Sequence, residues 1–210
     1  MRAAAGPVDR DTLAGHLRMV HLPVRTTALL ERAGEGFGTI EFQPVSGPRT
    51  IESRAVDLVA ERLAGLLDGM RGTPEHADLV ALARNLSGLG PGLTPTGDDL
   101  LVGIAAACHR LVAGGYWSAV RRDALAAALA GMGDTGTTTV AREMVGEAAA
   151  GRFPEVLANF VELLGDRDTV ADQVQAAAGR LAAIGAHAGA DMLAGVMAVV
   201  ARACREGTAR

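Results

Sequence analysis

The chain has 210 residues, 49% of them apolar but with only four Phe, one Tyr and one Trp, and its formal net charge is −4. That length suits one domain with a substantial core, and a core of Ala, Leu, Val and Gly favours close-packed helices over a large β-sandwich. The acidic balance and the lack of any basic run exclude nucleic acid as the main partner, and the absence of lysine excludes Schiff-base chemistry and the lysine-dependent phosphate loop.

The stretch MRAAAGPVDRDTLAG has no hydrophobic signal core, and no apolar run approaches the roughly 20 residues of a membrane span; the expected compartment is the cytoplasm. Residues 1 to about 24 are weakly patterned and predict an arm or a short helix. FGTIEFQPV (37–45) alternates like a strand and SGP (46–48) signals a turn, so a small β element, a hairpin or three strands, is predicted near residues 25–52. From Glu52 the reading is helical. Val56, Val59, Leu63, Leu66, Leu67 and Met70 form one apolar face. The next helix starts in GTPEHADLVALARNL, with Thr73 as N-cap and Pro74 at the first helical position. Further helices are predicted at about 97–113, 116–131, 137–150, 154–164, 169–184 and 188–205. The fold class is mainly α (α+β), with an arm and small β element over 1–50 and a helical domain over 51–210. Cys108 and Cys204 fall in apolar helical patterns and read as small core residues, which leaves neither a disulfide framework nor a zinc cluster.

Two of these helices look related. A shift of 92 positions, which carries Asp99 onto Asp191, lays TGDDLLVGIAAACHR (96–110) over AGADMLAGVMAVVAR (188–202) with six of fifteen positions identical. Of the identical pairs, Asp99/Asp191, Gly103/Gly195, Ala106/Ala198 and Arg110/Arg202 recur at i, i+4, i+7 and i+11, a single stripe along a helix. Gly inside a helix costs about 1 kcal/mol against Ala, so close backbone packing or a ligand is the expected reason for keeping it twice.

GLGPGLTPTGDDLLVG (88–103) carries the chemistry. Thr96 with Asp99 three residues on fits a capping box, and Asp98 suits the positive end of the helix dipole. Capping does not require Gly88, Gly90, Gly92 and Gly97; such a run suits bare backbone N–H groups approaching a phosphate or carboxylate. Gly90, Gly92, Thr94, Thr96 and Gly97 are therefore candidate substrate-binding residues. Asp98 and Asp99 are candidate catalytic groups, and a Mg²⁺ ion held by them would offset their repulsion of an anion. In DTGTTTVAR (134–142) one Thr caps a helix, and Thr137, Thr138 and Arg142 can complete an anion pocket. His187, four residues before Asp191, is either a proton carrier paired with it or a solvent-facing side chain. Asp191 joins the candidate binding set. His109 reads as structural, and no Ser–His–Asp order is visible.

The segment GLGPGLTPTGDDLLVG resembles the signature loop of the AllH-type family, which is tied to oxamate carbamoyltransferase. TTTVAREMVGEAAAGRF (137–153) and IGAHAGADMLAGVM (184–197) resemble that family's downstream blocks, so the resemblance spans about residues 80–200. It implies a subunit of an anaerobic purine-degradation enzyme that converts oxalurate and phosphate to oxamate and carbamoyl phosphate alongside partner subunits. Carbamoyl phosphate, oxamate or phosphate would suit a glycine-rich helix N-terminus, although the Ser-Thr-Arg-Thr loop of the well-known carbamoyltransferases is absent. Two other readings stay open. One is a non-catalytic metabolite-binding or assembly subunit. The other is a Mg-dependent helical hydrolase with aspartates at two helix starts, as in ADP-ribosyl hydrolases. The aromatic-poor chain is also expected to form a homo-oligomer or to assemble with partner subunits.

Overall fold

The computed structural model describes residues 6–33, 51–71 and 76–206. Ten helices run through them: α1 Arg10–Met19, α2 Val24–Arg32, α3 Ile51–Gly69, α4 His76–Leu86, α5 Thr96–Ala113, α6 Ala119–Ala130, α7 Thr139–Ala149, α8 Glu155–Leu164, α9 Ala171–Ala182 and α10 Ala188–Glu206. From α3 onward the helices fall where the apolar periodicity puts them. None of the described helices is long and apolar enough to cross a membrane.

The expected β element is corrected over its first part. Residues 24–32 form α2, and no strand occurs among the described residues. Thr26, Leu29, Leu30 and Ala33 are buried at helical spacing, a short stripe that the alternation further along obscures. FGTIEFQPV, SGP and Thr73 lie outside the described residues.

The centre of the fold is the pair α5 and α10, the most extensive helix–helix contact in the molecule. Nearly every residue of both is buried, so each is wrapped on all sides by the others. The crossing is closer than side chains allow. A Cβ on Gly103 would lie 2.1 Å from the Met192 carbonyl oxygen, and one on Gly195 would lie 2.4 Å from that of Leu100. Met192 and Leu100 are themselves partners under the 92-residue shift, so the two contacts are the same contact seen from each helix. Gly97 and Gly189 repeat the device six residues earlier, each against the end of the preceding helix, at the carbonyls of Leu86 and Leu181.

Arg110 and Arg202 close the far end of the repeat in different ways. Buried Arg110 donates to the carbonyls of Gly6 (3.2 Å) and Gly165 (3.0 Å) and faces Glu162 at 3.1 Å. Arg202, equally buried, pairs with Asp68 of α3. Cys108 sits in the same core, where burial pushes its thiol up to about 12, as an inert packing residue would be.

Candidate functional site

The glycine-rich loop folds back on the start of α5. Pro95, not Thr96, is the N-cap, and no side chain caps the helix. The expected Thr96–Asp99 capping box is thus corrected: Thr96 is already the first helical residue. The Pro95 carbonyl accepts from the N–H of Asp98 (3.0 Å) and Asp99 (3.2 Å), while the Leu89 carbonyl accepts from Gly97 N–H at 2.9 Å. The loop's own carbonyls therefore use donors that the glycine pattern offered to an anion. Gly90 is required for this turn. It has φ +111°, and a Cβ there would sit 2.8 Å from both the backbone nitrogen and the hydroxyl of Thr96. Gly92 at the loop's outer edge has φ +104° and open space around it.

Adjacent residues on a helix point about 100° apart, and the two aspartates meet opposite environments. Asp98 faces a hub of donors. Its Oδ1 accepts from Ser87 Oγ at 2.6 Å, and its Oδ2 accepts from Gly88 N–H at 2.9 Å and Thr137 Oγ1 at 2.7 Å. Ser87 Oγ is also 2.9 Å from Thr135 Oγ1. Since Ser87 gives its proton to Asp98, Thr135 must be the donor to Ser87. Thr138 caps α7 by accepting from Ala141 N–H at 3.1 Å, and it donates to the Leu93 carbonyl at 2.5 Å. The two motif segments, some forty residues apart in sequence, are thereby stitched together. Three hydrogen bonds on one buried carboxylate predict that Asp98→Ala loses about 3 kcal/mol, because the donors are left unpaired. Chemical denaturation measures this, and an unchanged midpoint would contradict it.

Asp99 faces the core. It is 1% exposed, and neither carboxylate oxygen has a hydrogen-bond partner of good geometry. Burial pushes its carboxyl up to about 7; the nearby Thr94 hydroxyl pulls it down, and the charges of Asp191 and Asp98 add to the rise. Asp191 is buried beside it at the start of α10. His187 is exposed at the turn before α10, and only its backbone carbonyl reaches Asp191, accepting its N–H at 2.9 Å.

Of the sequence candidates, Asp98, Thr137 and Arg142 converge on one cavity of about 220 Å³, lined also by Asp134, Thr135, Met132 and Val145. Arg142 there pairs with Asp134 at 2.9 Å, an exposed partner that a competing anion can displace. Thr138, Gly90, Thr96 and Gly97 build the loop instead of lining this cavity, and Thr94, Asp99 and Asp191 lie on the α10 side. Ser87, the link between Asp98 and Thr135, carries no motif signal beyond its place before Gly88. Among the described residues no group of three or more His, Cys, Asp or Glu able to hold an ion occurs.

A family model described as oxamate carbamoyltransferase subunit AllH matches residues 86–200, more than half of the chain. The chain belongs to the AllH family. No curated protein and no solved structure matches it. The AllH match runs from the last residue of α4 into α10. It takes in the glycine-rich loop, the threonine-rich turn, the 220 Å³ cavity and both glycine-striped helices, and it leaves α1, α2 and α3 outside.

Proposed function

We propose that this chain is a subunit of an oxamate carbamoyltransferase and that it holds a small carboxylate or phosphate in the cavity lined by Arg142, Thr135 and Thr137. The observation that carries this reading is the meeting of two motif segments at a cavity whose lining includes one guanidinium, that of Arg142. At about 220 Å³ the space is below the range of drug-sized ligands and suits a metabolite of a few heavy atoms. Arg142 supplies the counter-charge in a chain of net negative charge, once Asp134 gives way to the ligand.

Oxamate, phosphate and carbamoyl phosphate should each raise the melting temperature, because they bind the native state alone. Arg142→Ala should weaken that binding about tenfold or more, the worth of one charge-assisted hydrogen bond, without changing the ligand-free melt. Calorimetry and thermal melts on the full chain, alone and with its partner subunits, read both effects. A flat response in wild type to all three anions overturns the proposal.

A further inference from the structure

The hydrogen-bond chain behind the cavity fixes which way its hydroxyls face. Asp98 is 2% exposed and, as a carboxylate, can only accept. Thr137 must give it a proton, and Ser87 must give it another, which obliges Thr135 to donate to Ser87. Both threonines at the cavity therefore have their hydrogens committed inward and only lone pairs left for a ligand. The same lining carries Arg142, which can only donate.

We infer that Asp98 is a positioning residue that sets the cavity's specificity: by orienting Thr137 directly and Thr135 through Ser87, it selects anions that also carry an N–H group over anions that only accept. This rests on the reading of the Arg142 cavity as a small-anion site and adds the discrimination within it. A ligand with both a carboxylate and an amide N–H satisfies the guanidinium and the threonine lone pairs together. Pyruvate, or a carboxylate whose amide nitrogen is fully alkylated, leaves the threonine lone pairs unmatched.

The variant Asp98→Asn reverses part of this chain in a definite way. Gly88 N–H can only donate, so the amide oxygen of Asn must take the Oδ2 position and its NH₂ group must face Ser87. Ser87 then accepts, and its own hydrogen turns to Thr135, whose hydrogen is released toward the cavity. Thr135→Val is the companion variant. It is half-buried, does not touch Asp98, and removes one lone-pair site while leaving the three bonds on the carboxylate in place.

The experiment is calorimetric titration of the full chain with its partner subunits, using oxamate, N,N-dimethyloxamate and pyruvate, which has a ketone where oxamate has its amide. Wild type should bind oxamate at least tenfold more tightly than either of the other two. Asp98→Asn should shrink the oxamate-to-pyruvate affinity ratio severalfold or invert it, and Thr135→Val should shrink it too. A merely structural role for Asp98 would weaken all three ligands alike. Equal wild-type affinities, or a ratio unchanged in both variants while binding persists, overturn the inference and leave the anion site standing. Loss of binding for every anion in wild type overturns the site itself.

Discussion

Gly103→Ala should destabilise the protein by about 3 kcal/mol or more, a large effect for one methyl group. The added Cβ would lie 2.1 Å from the Met192 carbonyl oxygen and 2.9 Å from its carbon, where the neighbour is backbone and cannot rotate away. Gly195→Ala should behave alike, since its Cβ would meet the Leu100 carbonyl oxygen at 2.4 Å. Relief requires the two central helices to move apart, and both are packed on all sides. Gly146 is the internal control. It lies on the exposed face of α7 with nothing within 4 Å of where a Cβ would sit, so Gly146→Ala should stabilise by up to about 1 kcal/mol through helix propensity. Denaturant unfolding of the three variants gives the comparison. Wild-type stability in both Gly103→Ala and Gly195→Ala would mean that the helices do not cross at these residues.

Asp99→Asn should raise stability at pH 8 by up to about 4 kcal/mol and leave it unchanged near pH 4. The wild-type carboxyl sits at about 7 in the folded protein against 3.8 for the free side chain. Between those values the folded state keeps a proton that the unfolded state has released, so unfolding releases protons and stability falls as pH rises through the window. Above about pH 7 both states are ionised and the loss is complete; at 1.36 kcal/mol per pH unit it amounts to about 4 kcal/mol. An asparagine carries no charge at any of these pH values, so its curve should lack that slope. Melts of both proteins from pH 4 to pH 8 would reveal it. Parallel curves would show that Asp99 is ionised at a normal pH and has a partner for its charge.

The two results bear on different parts of the motif. Glycines 97 and 103 belong to packing, because carbonyls of other helices occupy the space of their missing side chains. Gly90 belongs to the turn, and the aspartates divide between a hydrogen-bonded hub and a buried site where no hydrogen bond has good geometry. The glycine run therefore has several causes, and ligand approach is not needed to explain most of it. The loop also brings Asp98 and Ser87 to the turn that carries Thr135 and Thr137.

The helices from residue 51 onward were legible in the sequence because each buries one face, and burial leaves a periodic trace such as Val59, Leu63, Leu66 and Met70. The glycine–alanine repeat was legible for the same reason, since close helix approach requires small residues at a fixed spacing. The short stripe of α2 was not, because four residues give too little period to outweigh the alternation beyond it. The candidate site was legible in its parts. Asp98 stands in one motif and Thr137 and Arg142 in another, and residue type alone marks Thr137 and Arg142 as able to meet an anion. Their convergence, the part played by Ser87 and the opposite fates of Asp98 and Asp99 were decided only by tertiary structure. Two adjacent carboxylates are chemically identical along the chain. One turns toward a serine, a backbone amide and a threonine, and the other toward buried Asp191. Hydrogen-bond partners and desolvation come from residues far away in sequence, so charge state and orientation could not be read before the helices were packed.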